Sequence, residues 1–349
     1  MKKKTYINIV ISIIVALLIG AVIIGVMGYN PVTSYIELFK GALIGKFNFG
    51  GTLERFVPLM LAALAFAVAQ QVNMANVGVE GEIYLGAITA AWVGYAITGL
   101  PKMVHVPLAL SLAAIIGALW AAIPGVLKAY YGVSDVCTTI LLNYVATYIT
   151  SYLVNNPMSA GKGVAQTPQI QESASLTRIM SPSRANTGLF IAIGVIILVY
   201  FFFKKTRKGY EYRSVGLNND FSAYIGIPDK KTMVKGMMLS GAIGGLAGGI
   251  EVLGIYGYFL DGFSTGIGFD GMLASLIAKN NIALVPVLSG FIAILKQGAL
   301  AMERFTGVPK SLIDGLIAMF ILFATMEGLF IIKKKIRKDK VSEDVGKSK

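Results

Sequence analysis

Apolar runs close to the length that crosses a lipid bilayer recur along this sequence. They begin with Ile7–Met27 and continue through Phe56–Val72, Pro107–Leu127, Asp135–Val154, Gly188–Phe203, Thr232–Ile250, Ile282–Met302 and Ser311–Ile332, with a further run ending near Thr98. A helix needs roughly 20 predominantly apolar residues to span the hydrocarbon core. It also satisfies its own backbone there, which an open sheet cannot do. The repetition therefore predicts an all-α polytopic membrane protein. Charged residues make up 14% of the chain, against about 25% in soluble domains.

The net charge of +13 reads as a topology signal, not as nucleic-acid binding, because basic residues collect on cytoplasmic segments. Lysines 2–4, the stretch Lys204–Lys235 and the tail Lys333–Lys349 are strongly basic and are all expected inside. The first run is longer than a signal-peptide core and lacks a small-residue cleavage site, so it reads as a retained span. Parity then requires the short segment Phe269–Ala278 to complete a crossing, giving about ten spans. The polar connection Asn155–Thr187 falls outside. The single cysteine, Cys137, excludes an internal disulfide and suggests no metal cluster. His105 lies in a short polar connection, where a solvated histidine is expected. Tyr35–Leu43 reads as an interfacial helix, and Pro58 as a first-turn residue of the second span. Asp314 and Glu327, near the ends of the last span, read as interfacial or capping groups.

Two stretches stand out. Asn73–Gly86 (NMANVGVEGEIYLG) places asparagines, Glu80 and Glu82 in an apolar region. Ionisable groups within a membrane usually face protein or a wet path, and Gly78 and Gly81 suggest a broken helix. The alternative is a solvated turn. Asn143, near the middle of another span, can join helices through its amide or touch a solute. In Ser240–Gly249 small residues recur every four positions on two faces, suited to close backbone packing.

The second stretch is Lys204–Lys235. Asn218 is an N-cap candidate and Asp220 suits the first turn. Phe221, Tyr224 and Ile225 share one helical face. Gly226 can adopt the left-handed terminus before Pro228. A helix over Asn219–Ile225 follows, too short to hold without a partner. Either it inserts its aromatic face into a partner groove, or the stretch is a basic loop at lipid headgroups.

Many spans with a few intramembrane charges point to transport. No phosphate-binding G-x-x-x-x-G-K-[ST] occurs, nor any nucleophile–base set, so the chain reads as a transport subunit without an ATPase site or cofactor of its own. Energy would come from an ion gradient or a separate ATPase. The motifs decide between these. Asn76–Glu82 (NVGVEGE) resembles N-I-G-x-E-G-Q, with Glu82 at the usual glutamine. Arg213–Asn218 (RSVGLN) resembles R-A-V-G-x-N. Asp220-Phe221-Ser222 followed at the right interval by Gly226 keeps the spacing of E-A-A-x-x-x-G. Together with Ser240–Gly249, Gly268–Gly271 and Asn280-Asn281, these features resemble permeases of ATP-binding-cassette importers for branched-chain amino acids, ribose and nucleosides. The likeness is nearest to nucleoside or simple-sugar permeases that work with a basic membrane lipoprotein, and it runs from about Asn30 to Leu329.

That resemblance implies a fold like the vitamin B12 importer's permease, over residues 1–332, ahead of the basic tail 333–349. It implies a location in the bacterial cytoplasmic membrane and a second, homologous permease chain. Two ATPase copies would use the ATP and dock inside at Asn218, Asp220, Phe221, Tyr224 and Gly226. A lipid-anchored receptor would deliver substrate outside. Candidate pathway residues are Asn76, Glu80, Glu82, Asn143, Tyr144, Phe269 and Asp270. Nucleosides are the expected substrates, with simple sugars or branched-chain amino acids as alternatives. An ion-coupled secondary transporter would need related halves, and no matching repeat is visible.

Overall fold

The computed structural model describes residues 3–161 and 163–325. The helices are, in order, α1 (Lys3–Val26), α2 (Pro31–Leu43), α3 (Lys46–Gln70), α4 (Val79–Ala96), α5 (Lys102–Tyr131), α6 (Asp135–Asn155) and α7 (Gly188–Lys205). They continue with α8 (Arg207–Leu217), α9 (Asn219–Tyr224), α10 (Asp229–Glu251), α11 (Ile267–Ile277), α12 (Val285–Thr306) and α13 (Lys310–Thr325). A π-helical turn, Val252–Tyr256, extends α10. Among the described residues no strand forms, and extended pairing is confined to two isolated bridges. Six described helices are long and apolar enough to cross a membrane: α3, α5, α6, α7, α10 with its extension, and α12.

The chain divides into two compact units, one of residues 1–41 with 298–349 and one of residues 42–297. In the first, Asn30 caps α2, its Oδ1 accepting from the Val32 and Thr33 amides at 3.0 and 3.3 Å. Pro31 then starts the helix, where its missing N–H costs nothing. Tyr35 donates from its hydroxyl to the Leu17 carbonyl of α1 at 2.7 Å.

The second unit is built around α10. Gly241 and Gly245 back onto α5: an added Cβ would fall 2.3 Å from the Gly117 oxygen and 2.2 Å from the Ala113 oxygen, respectively. The opposite row meets α3 and α4. Ser240 donates to the Ala65 carbonyl at 2.6 Å, and a Cβ at Gly248 would fall 2.0 Å from the Ile83 oxygen. Both small faces legible in the sequence are thus used, each against a different neighbour. Close approach suits membrane helices, whose association comes from packing and not from apolar burial.

Several local expectations are corrected. α3 starts at Lys46, so Pro58 lies inside the helix. Its polar first half is satisfied from far away in the chain: Glu54 Oε1 accepts from the Arg184 amide, and Arg55 Nε donates to Gln297 Oε1 at 2.9 Å. His105 is not solvated. It is fully buried, with Nδ1 2.9 Å from Ser173 Oγ and Nε2 3.0 Å from the Val93 oxygen. The segment at 172–174 covers it. The basic stretch after α7 contains an additional helix, α8, capped by Thr206 through the Gly209 amide at 3.0 Å. Asp314 is exposed on α13. Glu327 and the tail Lys333–Lys349 lie outside the described residues.

Candidate functional site

The break between α3 and α4 enters the interior of the bundle. Asn73 takes a left-handed φ of 56°, and the backbone stays non-helical to Gly78. Such a segment leaves amides and carbonyls that need partners inside a membrane protein. Side chains supply them. The Ala75 amide donates to Asp135 Oδ2 at 2.7 Å. Asn143 of α6 donates from Nδ2 to the Val77 carbonyl at 2.9 Å, and its Oδ1 accepts from the Gly81 amide at 2.8 Å. Asn76 is fully buried. Its Nδ2 donates to Glu82 Oε1 at 2.7 Å and to Ser240 Oγ at 2.8 Å, while its Oδ1 accepts from the Gly78 amide at 3.0 Å. Among the described residues Glu82 Oε2 has no hydrogen-bond partner.

Glu80, two residues earlier, ties α4 to the start of α11. Its Oε1 accepts from Ser264 Oγ at 2.6 Å and the Gly266 amide at 3.2 Å, and its Oε2 accepts from the Gly268 amide at 2.5 Å. A carboxylate at these free amides caps the helix and suits its dipole. Gly266 has φ +96°, which admits the turn, and a side chain on Gly268 would strike Glu80. Eleven residues make α11 about 16 Å long, roughly half a bilayer core. Its Asp270 is ion-paired to Lys296 of α12. At its far end Gln71 Nε2 donates to the Asn280 carbonyl at 3.1 Å.

A separate feature lies between α7 and α10. α8 packs Tyr212 edge-on against Phe202 and Phe203, with ring centroids 5.4 and 5.9 Å apart. Gly216 abuts the Gln71 carbonyl at the end of α3. α9 follows, capped by Asn218, whose Oδ1 accepts from the Phe221 amide at 2.9 Å. Asp220 sits in its first turn, and Gly226 closes it at φ +84°. Ser222 is buried, whereas Phe221 is 58% exposed and Tyr224 90% exposed. An aromatic face is thus held out from the body of the chain.

Residues 48–326 match the family described as branched-chain amino acid transport system / permease component. The chain belongs to this family. It is 37% identical over 335 residues to the guanosine ABC transporter permease protein NupP of Bacillus subtilis, covering 94% of this chain and 95% of that protein. It is 33% identical over 340 residues to the nucleoside ABC transporter permease protein NupB of Lactococcus lactis, covering 95% and 93%. With the glucose ABC transporter permease protein TsgB13 of Haloferax volcanii it shares 31% over 332 residues, covering 92% and 87%.

Within this multi-pass permease, Asn76, Glu80, Glu82 and Asn143 are all buried around the break before α4: Asn76 and Glu82 bond each other, while Glu80 bonds the start of α11 and Asn143 the backbone at Val77 and Gly81. The solvated-turn reading of Asn73–Gly86 is excluded for these side chains. Asn143 spends its amide on joining helices. Asp270 is partly buried against Lys296, Phe269 is 41% exposed, and Tyr144 is 62% exposed on α6, away from these groups. Three contributors were missed from sequence. Ser240 was read only as small, though its hydroxyl is the hinge between Asn76 and α3. Ser264 lies in the irregular segment before α11, where nothing in the sequence marks it. Lys296 is a cation within an apolar run, and such a charge calls for a partner, which points to Asp270.

The Asn76–Glu82 pair makes an ordering of variants. Asn76→Ala strips Glu82 Oε1 and the Gly78 amide of their partners together. Each orphaned buried group costs about 1–3 kcal/mol, so a clear fall in thermal midpoint is expected. Glu82→Gln keeps the shape and leaves an oxygen for Asn76, and should lower the midpoint far less. Thermal unfolding of the detergent-solubilised protein checks the order.

Proposed function

We propose that this chain is the permease of an ATP-driven importer that carries nucleosides across the bacterial cytoplasmic membrane. The observation that carries the reading is near full-length similarity to permeases named for guanosine and for nucleosides. α9 supplies what such a subunit needs: a short capped helix with an outward aromatic face for a separate ATPase. A second, homologous permease chain and a lipid-anchored receptor complete the assembly. ATP binding to the ATPase pair would move α9 and shift the permease between two access states, a population change driven by differential affinity.

In this reading α1, α3, α4, α5, α6, α7, α10, α11, α12 and α13 make ten passes of the kind found in the vitamin B12 importer's permease. α11 completes its pass with the extended segment before it. Both termini and α8–α9 are inside, and residues 155–187 are outside. In a Cys137→Ser background, Ser175→Cys should react with an impermeant thiol reagent on intact cells, and Ser214→Cys only after permeabilisation. Labelling of Ser214→Cys from outside would reverse the orientation.

Substrate class is tested by uptake into vesicles holding the whole complex. Uptake of labelled guanosine should depend on ATP and be competed by other nucleosides. The glucose permease among the relatives favours a simple sugar as the second reading. Competition by glucose or ribose, with no nucleoside effective, would select it. Dependence on a proton or sodium gradient without ATP would reject both.

A further inference from the structure

The buried face of α6 consists of Asp135, Thr139, Asn143, Ala146, Thr150 and Val154. Asn143 locks its rotation by bonding the Val77 carbonyl and the Gly81 amide on either side of the start of α4. The opposite face is therefore fixed as well. It carries Tyr144, Tyr148 and Tyr152, which are 62%, 72% and 64% exposed, with exposed Leu141, Val145 and Ile149 beside them. Four-residue spacing stacks the tyrosines on one side of the helix, about 6 Å apart, over a rise of about 12 Å. None of the three hydroxyls has a hydrogen-bond partner among the described residues. At the Tyr152 end, Ser151 Oγ donates to Asp261 Oδ2 at 2.7 Å, and Asn155 Nδ2 reaches the same oxygen at 3.3 Å.

Lipid alone does not suit the three tyrosine hydroxyls on this face. Tyrosines that meet lipid collect at the two headgroup levels, whereas these run from the middle of a span to its end. Acyl chains offer the hydroxyls no acceptor, and an unpaired hydroxyl in hydrocarbon is costly. Whatever covers the stripe supplies both flat apolar surface and hydrogen-bonding groups. The carboxylate, hydroxyl and amide at Asp261, Ser151 and Asn155 continue it as a polar mouth.

We propose that Tyr144, Tyr148 and Tyr152 form a ladder along which the flat base of a nucleoside moves, in water, on its way through the permease. The inference rests on the nucleoside-importer reading and assigns the surface that recognises the base. Aromatic rings bind any base face with little regard to its identity. Several equivalent weak sites in series allow entry without trapping the solute. The hydroxyls exchange water for the polar edges of base and ribose. A flat base offers the rings a larger stacking surface than a sugar alone, so the ladder favours solutes that carry a base.

The test uses the assembled importer in proteoliposomes. In the Cys137→Ser background, Tyr144→Cys, Tyr148→Cys and Tyr152→Cys should each react with a charged, water-soluble methanethiosulfonate, and guanosine should slow the reaction. Tyr148→Leu should lower kcat/KM for guanosine uptake about tenfold, in line with the loss of one base–aromatic stack, while Tyr148→Phe stays within about threefold of the parent on the same argument. Co-purified ATPase reports on folding, and a surface leucine should leave it unchanged. Failure of the charged reagent to reach Tyr148→Cys overturns the ladder, as does a disulfide between permease chains at that position, which would mark a subunit interface. Normal guanosine uptake with all three tyrosines changed to leucine overturns the ladder and leaves the importer reading standing. Absence of nucleoside uptake by the unaltered complex overturns both.

Discussion

Gly245→Ala and Gly248→Ala should each destabilise the permease strongly, whereas Gly194→Ala should be neutral or slightly stabilising. All three glycines lie inside helices, where alanine is intrinsically preferred by about 0.5–1 kcal/mol. Propensity alone therefore predicts three small gains. Space reverses the sign at two of them. A Cβ at Gly245 would fall 2.2 Å from the Ala113 oxygen, and Gly245 is itself approached by Gly86 and Gly117. At Gly248 the added carbon would fall 2.0 Å from the Ile83 oxygen. These obstacles are backbone atoms, so no rotamer change relieves them. The helices must separate, undoing the approach that holds them together. Overpacking typically costs about 1–3 kcal/mol and sometimes more, and the upper end is expected where three helix backbones meet. Among the described residues, nothing beyond its own stretch of α7 lies within 4 Å of a Cβ at Gly194. Thermal midpoints of the three variants measured side by side decide the matter. A midpoint for Gly245→Ala equal to that of the parent would mean that α10 and α5 pack less closely than described.

The contrast explains what the sequence could convey. Small residues at four-residue intervals on α10 are a local pattern, and both rows are used. Asn218, Asp220 and Gly226 define a short helix through cap chemistry acting over three or four residues, and α9 appears at Asn219–Tyr224. Features that depend on distant partners were not legible. The early start of α3 rests on Glu54 meeting the Arg184 amide and Arg55 meeting Gln297. His105 is buried because Ser173, far along the chain, lies over it. α8 has too mixed a composition for periodicity to reveal it, and Tyr212 and Val215 are buried by tertiary packing. The polar residues of Asn73–Gly86 announced an unusual segment. Their division of labour, Asn76 and Glu82 towards α10 and Glu80 towards α11, follows from which helices lie on each side.

Phe221→Ala and Tyr224→Ala should each sharply weaken association with the ATPase, or uncouple ATP hydrolysis from uptake, without changing the fold of the permease. α9 has six residues, too few for an isolated helix to persist in water. It is held by the Asn218 cap, by buried Ser222 and by the left-handed Gly226. None of these supports depends on Phe221 or Tyr224, both of which are exposed. Their removal therefore leaves α9 in place and subtracts only what a partner would touch. Aromatic anchors at the centre of an interface commonly cost about 2 kcal/mol or more on truncation, which is roughly thirtyfold in affinity. Gly226→Val acts by another route to the same end, since a β-branched residue resists the φ of +84° and misdirects the helix. The flanking cations give the counter-test. Lys204, Lys205 and Lys208 are exposed, and Lys208 already pairs with Glu211 at 2.9 Å. Exposed charges are screened by salt, so single neutralisations there should matter little to an ATPase interface. At a headgroup-binding loop the order would reverse, with the lysines dominant and Phe221 dispensable. Co-purified ATPase and ATP-driven uptake, measured for both sets in one membrane preparation, separate the two. Full coupling in the Phe221→Ala, Tyr224→Ala double variant would remove α9 as the contact, and the ATPase would have to engage the permease elsewhere.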